Sequence, residues 1–225
     1  MLNSSTDRFR NLICMLVLFP VLESVACSPV HGQIPAFAGD SPSPAVKGKQ
    51  IAVLAGGCFW GVDAVFRHVK GVAGVATGYS GGSASTAQYE AVSAGTTGHA
   101  ESVKITFDPS QVSYAELLRV FFSVATDPTQ LNRQGLDEGT QYRSVIFYAN
   151  EDQKQIALAY IDQLNRAKVF RGPIVTQVAP LKAFHPAEEY HQNFLARNPT
   201  NPYIIYNDLP KLHALQKQFP DLYKR

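Results

Sequence analysis

The stretch that decides the fold is Ile51-Ala52-Val53-Leu54-Ala55-Gly56-Gly57-Cys58-Phe59-Trp60-Gly61-Val62-Asp63-Ala64-Val65-Phe66-Arg67-His68-Val69. Its first five residues form an unbroken apolar run, the pattern of a strand buried on both faces. Gly56-Gly57 interrupts the run. From Cys58 onward Phe59, Val62, Val65, Phe66 and Val69 recur at helical spacing, so the chain turns from strand into helix at Cys58. A sulfur at that junction lies near the unpaired N–H groups and the positive pole of the helix, which favours thiolate, its nucleophilic form. A cysteine there could equally be small core packing. Gly56, Gly57 and Gly61 argue otherwise, because they let another molecule approach the backbone closely. Phe59 and Trp60, the only tryptophan, would then form an apolar wall beside the sulfur, suited to a methyl or thioether group.

Downstream, Gly71–Gly82 reads as a strand running into a loop, and Ala100–Phe107 as a clean strand ending at Asp108-Pro109. Val103, Ile105 and Phe107 share one face of that strand, and Glu101 has their alternation. An inward carboxyl without Lys or Arg on its own face would stay protonated through desolvation. The other possibility is a strand-end glutamate bent out to water. Ser113 and Glu116 form a capping box that opens a helix over Tyr114–Val124. Leu131–Gln141 reads as a loop, Ser144–Tyr148 as a strand, Glu151–Lys168 as a helix and Ile174–Val178 as a strand. A short helix is expected over Pro186–Arg197 and a last helix over Asp208–Phe219. Hairpins and loops outnumber strict crossovers. The expected architecture is therefore α+β, a two-layer sandwich with a ferredoxin-like-related mixed sheet, helices on one side and long loops.

The chain has 225 residues, 45% hydrophobic and 17% charged, with a formal net charge of +2. This composition excludes wholesale disorder, and the scattered Lys and Arg give no footprint for nucleic acid. The ends differ from the middle. Arg8 and Arg10 precede a short apolar run, Leu12–Leu22, and then Ser24-Val25-Ala26, so residues 1–26 read as a secretion signal. Its exit can lie after Ala26, at a lipoprotein-like box with Cys27 as lipid-bearing residue, or at Ala36-Phe37-Ala38. Residues 27–48, rich in Pro, Ser, Gly and Ala, read as a flexible tether. Residues 49–206 are the expected catalytic domain and 207–225 a C-terminal helical tail. Of the three cysteines, Cys14, Cys27 and Cys58, only Cys58 lies within the domain, which leaves no internal disulfide and no cysteine-rich metal site there.

The blocks Gly57-Cys58-Phe59-Trp60-Gly61, Tyr89-Glu90-Ala91-Val92, Gly98-His99-Ala100-Glu101 and Gly139-Thr140-Gln141-Tyr142-Arg143-Ser144, in this order, resemble the A-type peptide methionine sulfoxide reductases. The resemblance spans roughly residues 49–206. It implies that Cys58 attacks the sulfoxide sulfur and becomes a sulfenic acid, and that Phe59 and Trp60 hold the S-methyl group. It further implies that Glu101 is the acid at the sulfoxide oxygen, that Tyr89 and Tyr142 donate hydrogen bonds to that oxygen, and that Asp137 organises the site. Selectivity for the S epimer and action on free or protein-bound methionine sulfoxide are implied as well. Many relatives carry resolving cysteines near the C-terminus, whereas this chain ends Phe219-Pro220-Asp221-Leu222-Tyr223-Lys224-Arg225. Regeneration is therefore expected from an external thiol, thioredoxin-like, glutaredoxin-like or a small molecule, with no bound cofactor. A monomer is expected, exported to a bacterial periplasm or held at a membrane through Cys27.

Two other readings use the same residues. A cysteine hydrolase would combine Cys58, His99 and Asp137. His99 is read as facing away from Glu101's side, which weighs against it. A metal site over His185, Glu188, Glu189 and His191 is disfavoured by its spacing, since histidines six apart do not share a helical face.

Overall fold

The computed structural model describes residues 34–39 and 48–225. Strand β1 (Gln50–Ala55) leads through Cys58 into helix α1 (Phe59–Arg67), and the chain returns as β2 (Val72–Ser80). A short helix, α2 (Tyr89–Ser93), precedes β3 (Ala100–Phe107) and α3 (Tyr114–Val120), which runs on as a π turn, Phe121–Ala125. A two-stranded ribbon, β4 (Arg133–Gln134) and β5 (Asp137–Glu138), precedes β6 (Val145–Tyr148), α4 (Glu151–Arg166) and β7 (Gln177–Pro180). The chain finishes with β8 (His185–Pro186), α5 (Phe194–Arg197), a π turn Ile204–Asp208 and α6 (Leu209–Gln218).

The main sheet has six strands in the order β7-β6-β1-β3-β2-β8. All its neighbours are antiparallel except β6 and β7, which pair in parallel from Val145↔Gln177 to Tyr148↔Pro180. Strand β3 runs between β1 and β2, so α1 carries the chain across β3 from one parallel-pointing strand to the other. Likewise β3, α3 and β6 bracket β1. Two such split βαβ units give the mixed α+β sandwich of ferredoxin-like kind.

Alternation explains why β1 reads as continuously apolar. Ala52 and Leu54 enter the large core with Val62, Val65 and Phe66 of α1 and Leu117 and Leu118 of α3. Val53 and Ala55 face the other side, where Ala100, Val145 and Phe147 join them under Ala179, Leu181 and Phe184. Helices therefore cover one face, and the segment after β7 covers the other. The serine half of the expected capping box is present, the Ser113 side chain accepting from the Glu116 N–H at 2.9 Å.

Several boundaries differ from the sequence reading. Leu131–Gln141 contains the β4–β5 ribbon, whose polar residues carry no apolar alternation to announce it. The strand expected at Ile174–Val178 starts at Gln177, where pairing with β6 begins. Pro186–Arg197 is not one helix. Pro186 belongs to β8, a 3-10 turn spans Glu189–His191, and only Phe194–Arg197 is α-helical. The last helix packs into the same core as the rest through Leu215 and Phe219.

The expected signal and Cys14 and Cys27 lie outside the described residues. Of the expected tether, residues 34–39 and Gly48 are described, and the stretch 34–39 is docked rather than free. Ile34 is 1% exposed in the core. Its carbonyl accepts from Arg119 Nε of α3 at 3.0 Å. On α4, Tyr160 Oη donates to the Pro35 carbonyl at 2.6 Å, Gln163 Nε2 donates to that of Ala36 at 2.7 Å, and the Ala38 N–H donates back to Gln163 Oε1 at 2.8 Å. Composition suggests a tether here because Pro and Ala carry little periodic signal, yet the backbone finds partners on two helices.

Candidate active site

Antiparallel pairing gathers the site at one edge of the sheet. Strands β1 and β2 end at this edge, while β3 and β6 begin there. Cys58 just after β1, Glu101 at the start of β3 and the loop before β6 are thus brought together. Cys58, Phe59, Trp60, Tyr89, Glu101, Asp137, Tyr142 and Tyr203 line one cleft of about 170 Å³. Such a volume admits a side chain rather than a larger ligand, for which pockets of roughly 300–1,000 Å³ are usual. All seven site residues expected from the sequence meet here, and Tyr203 joins them from the C-terminal region.

Glu101 points inward, 3% exposed, and its Oε2 accepts the Phe59 N–H at 3.0 Å. Burial pushes its pKa up to about 8, against the Phe59 N–H, which pulls it down. Asp137 and Asp208 push in the same direction as burial, and a hydrogen bond with Cys58 pulls the other way. At neutral pH the group is a carboxylic acid able to donate. Cys58 occupies the N-cap of α1 with 7% exposure, and the Trp60 N–H points to its sulfur. Contrary to the thiolate expected from the helix pole, burial first, then Glu101 and Asp208, raise the Cys58 thiol well above its ordinary range. The magnitudes explain the outcome. A helix pole contributes roughly 0.3–1 kcal/mol, whereas burying a charge costs several kcal/mol.

Each remaining lining residue has a structural anchor. Trp60 Nε1 donates to His191 Nδ1 at 3.1 Å, and its ring stacks on Phe194 with centroids 3.7 Å apart. Glu188 clamps the end of β2 to the start of α2, accepting from Tyr79 Oη and from the Tyr89 N–H, both at 2.9 Å. Tyr142 is held towards β3 by its neighbour Arg143, which donates to the carbonyls of Gly98 and His99 at 2.9 and 3.0 Å. Asp137 sits on the ribbon and accepts from Tyr203 Oη at 2.5 Å. The ribbon is in turn fixed by Gln134, which takes hydrogen bonds from the Thr126 hydroxyl and the Asp127 N–H.

His99 does not reach the cleft. In alternation it matches Glu101 rather than opposing it. The glycine before it, Gly98 at φ 76°, turns the chain, and the imidazole is buried elsewhere. Its Nδ1 accepts from the Gly82 N–H at 3.2 Å, so Nε2 donates to the Ser83 carbonyl at 2.9 Å. A Cys58–His99 couple is therefore not formed. The four residues weighed as a metal set diverge: His185 pairs with Tyr79 in the sheet, Glu188 clamps α2, Glu189 pairs with Arg197, and His191 supports Trp60.

Tyr203, His191 and Asp208 are the residues that sequence reasoning missed as site components. His191 and Glu188 stood out only as a metal-like cluster. Tyr203 and Asp208 carried no local signal beyond an aromatic and an acid near the last helix.

The family model described as "Peptide methionine sulfoxide reductase" matches residues 50–223. Peptide methionine sulfoxide reductase MsrA 2 of Mesorhizobium japonicum is 60% identical over 179 residues, covering 80% of this chain and 92% of the relative. The protein of the same name from Synechocystis is 55% identical, covering 81% of this chain and 85% of its own length. Among solved structures, methionine sulfoxide reductase A of Corynebacterium diphtheriae is 34% identical, with a TM-score of 0.59 over 72% of this chain and 79% of that one. With this cleft at the matched residues, the chain belongs to the peptide methionine sulfoxide reductase family.

Proposed function

We propose that this protein reduces the S epimer of methionine sulfoxide, free or within proteins, with Cys58 as nucleophile and Glu101 as acid. The observation that carries this reading is the buried Cys58 thiol and the buried Glu101 carboxyl lining one small, partly apolar cleft. A sulfoxide oxygen is a poor leaving group until it is protonated, so an acid held neutral near pH 7 answers the main chemical demand.

In the reaction the sulfoxide oxygen lies toward Glu101, Tyr89 and Tyr142, and the methyl group lies against Phe59 and Trp60. The Cys58 sulfur bonds to the sulfoxide sulfur as Glu101 delivers its proton to the oxygen, and the thiol proton passes to the Glu101 carboxylate. Transfer of the hydroxyl to Cys58 then breaks the sulfur–sulfur bond, leaving a Cys58 sulfenic acid and the thioether. Methyl wall and oxygen donors on different sides of the sulfur would bind one epimer and reject its mirror arrangement. Asp137, held by Tyr203, fixes the polar end of the cleft.

Cys58 is the free cysteine of the described residues. Two equivalents of an external thiol would return the sulfenic acid to thiol, releasing water and a disulfide. A thioredoxin-like or glutaredoxin-like protein is the proposed donor. Leu136, Tyr190 and Tyr206 are exposed large hydrophobics: Leu136 precedes Asp137, Tyr206 follows Tyr203 by three residues, and Tyr190 packs on His191, as Tyr89 does. Such a rim suits unfolded segments of oxidised proteins. Residues 1–26 are proposed to export the chain, either into a bacterial periplasm or to a membrane held through a lipid on Cys27.

The test is single turnover without reductant on separated S and R epimers, read by intact mass. The S epimer should give one equivalent of methionine and one added oxygen on Cys58. Equal turnover of both epimers, or rapid internal disulfide formation, would overturn the corresponding part. The same spectrum reports the mature N-terminus and any acyl group.

A further inference from the structure

Behind the nucleophile lies a carboxyl that the reaction above does not use. Asp208 closes the π turn before α6, and its side chain is fully buried. Neither of its carboxyl oxygens has a hydrogen-bond partner. Lys211 Nζ, one helical turn on, stands 3.7 Å from Oδ1, an ion pair beyond hydrogen-bonding distance. The pair is pressed onto the first turn of α1. A Cβ placed on Gly61 would lie 2.2 Å from Asp208 Oδ1 and 3.0 Å from Lys211 Nζ. Gly61 is three residues after Cys58, hence on the same side of that turn. Burying an acid this way is costly, and one whose oxygens accept no hydrogen bond calls for a role.

We propose that Asp208 is a positioning residue that acts through Cys58: together with Lys211 it sets the charge that the sulfur meets from the α6 side. This goes beyond the proposed reaction, although its purpose rests on Cys58 being the nucleophile. The other groups around the sulfur are Glu101 from β3, the Trp60 N–H from α1, Asp137 from the ribbon, and the phenols Tyr89, Tyr142 and Tyr203. Asp208 and Glu101 disfavour the thiolate, whereas Lys211 and the Trp60 N–H favour it. Asp208 itself is pushed up to about 6 by burial, against Lys211, so it is ionised over the alkaline range in which the thiol titrates. A lone thiol kept neutral reacts slowly with adventitious electrophiles and oxidants, which attack thiolate.

The test needs no sulfoxide, so its failure is distinct from failure of the proposed reaction. Thiolate absorbance and iodoacetamide alkylation would be followed from pH 6 to 11 on the full chain. Subtracting the Cys58→Ser variant isolates this thiol from Cys14 and Cys27. Asp208→Asn should move the titration down by about one unit and speed alkylation about tenfold below it. Lys211→Met should move it up and slow alkylation. A folded Asp208→Asn variant titrating like the parent would overturn the proposal. Should Asp208→Asn fail to fold, Lys211→Met decides alone, and an unchanged or lowered titration there would equally overturn it.

Discussion

At the scale of single residues, the site is governed by competition between burial and hydrogen bonding. Glu101 accepts one N–H and lies beside a thiol, yet burial outweighs both and keeps it protonated to about 8. Two consequences differ in sign. As an acid it works only when protonated, so single-turnover sulfoxide reduction should hold below about pH 8 and fall as pH rises through that value. Glu101→Gln, which cannot deliver a proton, should lower the chemical rate roughly 10²–10⁴-fold with less effect on substrate affinity. For stability, the folded-state pKa lies above the unfolded one, so the folded state holds the proton more tightly. The stability this contributes is full below the unfolded value and is lost as pH rises through the folded one. Denaturation at pH 5 and pH 9 should therefore show the Gln variant gaining on the parent at the higher pH. A rate profile unchanged by the substitution would remove Glu101 from the chemistry.

At the scale of elements, the strand–glycine–helix junction was legible because its signals are local. A two-sided apolar run, a break and a 3.6-residue period each need only a few neighbours. The reason for the break lies elsewhere in the chain. Gly57 has φ 97°, and a Cβ there would lie 2.6 Å from Gln134 Cβ and Cγ on the ribbon. Gly57→Ala combines left-handed strain with displacement of β4, and should cost about 1–3 kcal/mol in chemical denaturation. Because Gln134 also ties down the ribbon that carries Asp137, turnover should fall as well. A variant of parental stability would show that the ribbon yields freely. The ribbon and the broken segment after Pro186 escaped the sequence reading for a shared reason. Short polar pieces have no periodicity of their own, whether they are held by near neighbours, as Gln134 is by Thr126 and Asp127, or across the fold, as Gln192 is on Thr77.

At the scale of the whole molecule, the docked segment 34–39 extends the folded unit beyond the family match, which begins at residue 50. Ile34→Ala should destabilise by about 2–5 kcal/mol if the site cannot collapse, lowering the melting temperature by several degrees. The active-site edge is built from other elements, so single-turnover rate at 25 °C should be preserved. An unchanged melting temperature would mean that the segment contributes nothing to the fold. Local signals were sufficient to name most of the residues that line the cleft: the sulfur at a helix start, the inward parity of Glu101 and the aromatic pair beside the sulfur are all written within a few neighbouring positions. Only the tertiary structure decided that Tyr203, His191 and Asp208 join them, that His99 does not, and that the resting sulfur is a thiol. Periodicity and parity are short-range properties of the chain. Desolvation and charge depend instead on everything the fold packs around an atom, and much of that arrives from the far end of the sequence.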